Sequence, residues 1–64
     1  MKLSENLKRI RIEKGLSQYE LAKRTGLTNS TILRLETGEM SNPALKTLLT
    51  LCKELGVTIN ELIY

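Results

Sequence analysis

The chain has 64 residues, of which 41% are apolar, and carries a formal net charge of +3; this is room for a single domain, residues 1–64, with a modest core. It has one Cys, no His and no Asp, which excludes an internal disulfide and the usual zinc sites, and argues against acid–base or nucleophilic catalysis. No apolar run nears the ~20 residues of a membrane span, and Met1-Lys2-Leu3-Ser4-Glu5 lacks the apolar stretch of a secretory leader, so a cytoplasmic, non-enzymatic binding module is expected, without metal or cofactor.

Thirteen residues are Leu and none is Phe or Trp, a composition that points to an all-α fold. Five helical segments are predicted, at about 4–14, 18–25, 28–37, 43–55 and 59–63. Gly15, Gly26, Gly38 and Gly56 close the first four, each where a left-handed residue ends a helix. Ser4 is a weak cap for the first segment. Leu3, Leu7 and Ile10 give that segment its apolar stripe. Ser17-Gln-Tyr-Glu20 is a capping box for the second segment. Thr28 caps the third. Asn42-Pro43 offers a cap and a first-turn Pro to the fourth, whose stripe is Leu45, Leu48, Leu49, Cys52 and Leu55. Thr58-Ile-Asn-Glu61 is a second capping box and opens the fifth. Leu16, Leu21, Leu27, Ile32, Leu35, Val57, Ile59 and Leu62 complete the expected core, with Cys52 a small core residue rather than a reactive thiol.

The charge is lopsided. Through Arg34 there are eight Lys or Arg against three Glu, a net of +5; from Leu35 onward there are two against four, a net of −2. A basic half on a small domain fits a polyanionic partner such as nucleic acid, although +3 also fits a merely solvated surface. The second and third segments are joined by Gly26-Leu27 alone. A turn so tight fixes a sharp angle between short helices, as in a helix-turn-helix, and Ala22 leaves space for the close approach.

The run Gly15-Leu-Ser-Gln-Tyr-Glu-Leu-Ala-Lys-Arg-Thr-Gly-Leu-Thr-Asn-Ser-Thr-Ile-Leu-Arg-Leu-Glu-Thr-Gly38 resembles the helix-turn-helix core of the phage repressor/Cro family of bacterial DNA-binding domains, the XRE-like regulators. Gln18, Ala22, Gly26, Ile32, Leu35-Glu36 and Gly38 carry the match. It continues through Asn42-Pro43 and Leu55-Gly56-Val57-Thr58 and covers about residues 3–63. The resemblance implies a compact five-helix, lambda-repressor-like DNA-binding domain with the helix-turn-helix at helices 2 and 3. It also implies a transcriptional regulator, such as a repressor, acting on double-stranded DNA.

The third segment can be read without the family. With Ile32 and Leu35 inward at about 100° per residue, Ser30 and Thr37 face outward, Leu33 and Arg34 flank them, and Asn29 lies to one side. Asn can pair with adenine and Arg can grip guanine bidentately in the major groove. Asn29, Ser30, Leu33 and Arg34 are therefore the candidate base contacts. Leu33 suits either a thymine methyl or a protein interface.

The resemblance makes Gln18 a phosphate contact that also braces the recognition helix, and Thr28 a cap and phosphate donor. Lys23 and Arg24, and also Lys14, are further candidates for the DNA backbone. The resemblance pairs Arg11 with Glu36 as a structural ion pair. Three departures stand out. Thr25 occupies a usually aliphatic place. No Lys or Arg follows Gly38. Glu39 would repel a phosphate there. A palindromic operator read by a homodimer is expected, because one module spans few base pairs. The dimer surface is open between Leu62, Ile63 and Tyr64 and the off-stripe Leu51, and burial in the monomer explains each as well. The rival function is a protein-interaction module, an antitoxin-like partner or adaptor reusing the fold.

Overall fold

Local signals set most of the helix ends. A computed structural model describes all 64 residues and contains five helices and no strands: α1 Leu3–Glu13, α2 Gln18–Thr25, α3 Asn29–Thr37, α4 Leu45–Leu55 and α5 Ile59–Ile63. Both capping boxes form. The Ser17 hydroxyl accepts from the Glu20 N–H at 3.0 Å while the Glu20 carboxylate accepts from the Ser17 N–H at 2.9 Å. Thr58 and Glu61 repeat the exchange at 3.1 and 2.9 Å. Thr28 lies just outside α3 and accepts the Thr31 N–H at 3.1 Å. These bonds satisfy amides that the first helical turn leaves free.

Two caps differ from expectation. Ser4 lies inside α1, which starts at Leu3 behind Lys2 with no side-chain cap. Asn42 and Pro43 do not open α4. Ala44 is still extended, at ψ 151°, and is the N-cap without a side-chain bond. The first turn closes only at the Leu48 N–H to the Ala44 carbonyl. Pro43 itself holds Asn42 away from helical geometry, since its ring crowds the residue before it.

The helices close around one core. α1 packs on α3 and α5, α2 on α3 and α4, and α4 on α5, within 24 × 22 × 19 Å. Leu7, Leu21, Ile32, Leu35, Leu51 and Leu62 have no exposure, so every helix sends at least one side chain to the centre. Each such burial is worth about 1.5–3 kcal/mol relative to exposure. Leu27, Val57 and Ile59 are only partly buried and pack on the rim of this cluster.

The face of α4 is rotated from the expected stripe. Leu48, Leu51, Cys52 and Leu55 are buried, at i, i+3, i+4 and i+7, while Leu45 and Leu49 are 65% and 52% exposed. A run so rich in Leu satisfies two helical phases, and α2 and α5 select the one that centres Leu51. Leu51 and Leu62, candidates for a dimer surface, are thus core residues; Ile63 packs at the core edge and Tyr64 is exposed. Cys52 is buried, which pushes its thiol up, with the Glu61 carboxylate adding to the effect.

Asn6 is the one polar residue buried as a whole, backbone and side chain together. It sits on the α1 apolar stripe, and its amide donates to the Leu62 carbonyl at 3.0 Å. Beside it the Lys2 N–H donates to the Ile63 carbonyl at 2.7 Å. The first and last helices are therefore joined by hydrogen bonds as well as by packing.

Candidate nucleic-acid interface

The corner between α2 and α3 is built by Thr25 and Gly26. Gly26 ends α2 at φ 75° and returns its N–H to the Ala22 carbonyl. A side chain at this left-handed φ would strain the backbone. Thr25 then knits the turn. Its hydroxyl donates toward the Leu21 and Ala22 carbonyls, at 2.8 and 3.2 Å, and accepts the Leu27 N–H at 3.3 Å. A Thr in an otherwise aliphatic place is thus fully engaged. The sequence flagged this position without revealing that role.

Behind α3 lies a buried polar cluster. Arg11 of α1 grips Glu36 of α3 with two bonds, Nε to Oε2 at 2.6 Å and Nη2 to Oε1 at 3.0 Å. The two side chains are only 11% and 3% exposed. The remaining guanidinium nitrogen, Nη1, donates to the Leu16 carbonyl at 2.7 Å. The carboxylate stabilises the guanidinium charge and raises the Arg11 pKa above its already high ordinary value, against the opposing effect of burial. Gln18 adds a third helix, its Nε2 donating to Glu36 Oε1 at 3.1 Å. The expected pair is present, and Gln18 braces it. One N–H of the Gln18 amide is thereby committed inward, and the other remains for an outside acceptor.

The opposite face of α3 is open. Ile32 and Leu35 are fully buried, while Asn29, Ser30, Leu33 and Arg34 are all exposed along one side. Thr37 is exposed at the far end. At the near end the Thr28 hydroxyl already serves the cap and shares a 2.9 Å bond with the Thr31 hydroxyl. Lys23 and Arg24 are exposed on α2, with Arg24 one turn beyond Glu20 and lowering that carboxylate's pKa alongside the stronger effect of Ser17. Lys14, by contrast, exerts its charge on Glu61 of α5. Arg34 is within ion-pair distance of Glu39, Nε to Oε2 at 3.7 Å. That pairing was not foreseen from the sequence.

A rigid bihelical corner of this kind, with a polar, exposed second helix, defines the helix-turn-helix class. The chain belongs to the helix-turn-helix family of the repressor/Cro (XRE) type, whose family model matches residues 7–62. An uncharacterized HTH-type transcriptional regulator of Sinorhizobium fredii is 39% identical over 61 residues, which are 95% of this chain and 78% of that protein. One of Coxiella burnetii is also 39% identical, but the chain spans only 28% of its length. Among solved structures, the biofilm master regulator SinR in complex with DNA superposes with a TM-score of 0.92 at 29% identity, covering 97% of this chain and 98% of that one. The restriction-modification controller protein C.AhdI of Aeromonas hydrophila superposes at 0.88 with 36% identity, covering 95% and 91%.

Proposed function

We propose that this chain is a sequence-specific double-stranded DNA-binding protein, a cytoplasmic transcriptional regulator without enzymatic activity. One observation carries the reading. Asn29, Ser30, Leu33 and Arg34 form a continuous exposed stripe on α3, and the buried Arg11–Glu36–Gln18 cluster behind that helix holds it against α1 and α2. An α-helix presented this way fits the major groove. The superposition on SinR, a structure determined with DNA bound, supports DNA as the partner.

Asn29 and Arg34 read base edges in this scheme, Ser30 donates or accepts, and Leu33 meets a thymine methyl. Gln18, Thr28, Lys23 and Arg24 take phosphates, which position the protein without reading sequence. The free amides at the start of α2 aid Gln18, because helix N-termini attract anions. Two copies on a palindromic site give useful specificity, with half-sites one helical turn, or ~34 Å, apart.

Selection of random duplexes by the purified domain tests this reading. Enriched inverted repeats, bound more weakly as salt releases condensed counterions, are the expected result. Arg34→Ala should then lose discrimination by about tenfold or more, the worth of a good bidentate contact, with unchanged melting. Recovery of no preferred duplex refutes the reading and favours a protein-interaction module on the same fold.

A further inference from the structure

The end of α3 folds back over its own last turn. Gly38 is left-handed, at φ 85°. The Met40 N–H reaches back to the Arg34 carbonyl at 3.1 Å. The Thr37 hydroxyl donates to that carbonyl at 3.2 Å and accepts the Glu39 N–H at 3.4 Å. On a continuing helix, residue 39 would point about 140° away from residue 34, since five steps of 100° overshoot a full turn by that amount. The reversal at Gly38 instead brings the Glu39 carboxylate to 3.7 Å from Nε of Arg34. Both side chains remain more than half exposed, at 55% and 70%, so an approaching duplex meets them as a pair.

We infer that Glu39 is a specificity-determining residue that acts through Arg34, holding the guanidinium by its Nε side so that the two terminal nitrogens face a guanine. The inference rests on the proposed placement of α3 in the major groove. A guanidinium carries five N–H donors in a planar fork. Guanine O6 and N7 take two of them end-on, which leaves the Nε edge for a carboxylate. The pair is also close to neutral as a unit. A neutral unit gains little from phosphates, whose attraction is common to every sequence. Glu39 therefore raises discrimination from both sides, by aiming Arg34 at a base and by weakening its pull toward the DNA backbone.

The test uses the duplex enriched by selection, the same duplex with its guanines replaced by 7-deazaguanine, and an unrelated duplex. Affinities are measured by fluorescence anisotropy for the parent, Glu39→Gln, Arg34→Ala and the double variant, with melting recorded for each. The parent should show a 7-deazaguanine penalty that Arg34→Ala removes. Glu39→Gln should shrink that penalty by about two- to fivefold, the worth of an exposed ion pair, and should tighten the unrelated duplex. In the free protein, the NMR signal of the Arg34 Nε–H should move on Glu39→Gln, which reports the contact itself, and an unmoved signal overturns the inference. A penalty that is the same in Glu39→Gln as in the parent overturns the inference, as does a parental penalty that Arg34→Ala leaves in place. Enrichment of no duplex refutes instead the DNA reading on which the inference rests.

Discussion

Replacing Arg11 by Ala removes the central donor of the cluster behind α3. The Glu36 carboxylate, 3% exposed, is then left with Gln18 alone, and the Leu16 carbonyl loses its 2.7 Å donor. Breaking a buried ion pair from one side costs about 3–5 kcal/mol, because the remaining charge stays desolvated. A domain of this size has a net stability of about 3–10 kcal/mol, so the loss is about 30% of the total or more. At about 4–8 °C per kcal/mol, a loss of 3 kcal/mol lowers the melting temperature by about 12–24 °C. Circular dichroism melts and urea titrations of Arg11→Ala measure this directly. Urea is the cleaner assay, since a lower midpoint at constant slope reports stability alone. Replacing both partners, Arg11→Met with Glu36→Leu, should recover much of the loss, as apolar pairs of similar volume often match a buried ion pair. A shift below about 1 kcal/mol for Arg11→Ala, the range of exposed bridges, would refute the argument that this cluster holds α1 to α3.

Leu51→Ala should destabilise by about 2–5 kcal/mol and Leu49→Ala by well under 1, because Leu51 has no exposure and Leu49 is half exposed; equal melting temperatures would mean that α4 is rotated. Gly26→Ala should cost about 1–2 kcal/mol from its left-handed φ of 75° alone, since no heavy atom beyond its chain neighbours lies within 4 Å of the added carbon; unchanged melting would show that the turn tolerates another geometry. Glu20 and Glu61 are held below the ordinary 4.5, first by the N–H and then by the hydroxyl of Ser17 and Thr58 respectively. A pKa lowered in the folded state gives stability that is complete above 4.5 and is lost as pH falls through the folded value. Glu20→Gln and Glu61→Gln should each flatten the acid side of a stability-versus-pH curve, and an unaltered acid limb would contradict the cap assignment.

What the sequence reveals follows the reach of its signals. Ser17, Thr28 and Thr58 cap within three residues of themselves, and their helices start where expected. The open face of α3 follows from Ile32 and Leu35 alone, since two inward residues fix the phase of a short helix. Leu45, Leu48, Leu49, Leu51 and Leu55 allow more than one phase, and only contact with other helices chooses between them. Asn6 could have been noticed as a polar residue at i+3 on the Leu3–Leu7 stripe, but its partner is 56 residues away. The Arg34–Glu39 contact depends on a backbone reversal that helical spacing cannot anticipate. The grip of Gln18 on Glu36 spans two helices, and only the family resemblance suggested that it braces α3.

The Asn6 and Lys2 bonds to the last residues of α5 give the polypeptide nearly the topology of a ring. Five residues cannot sustain a helix unaided, so α5 persists through its neighbours, and loss of either bond should let that end fray first. A short linker between residues 64 and 1, with new termini opened at the exposed Ser41-Asn42 stretch, should yield a circular permutant that keeps the α2–α3 corner intact.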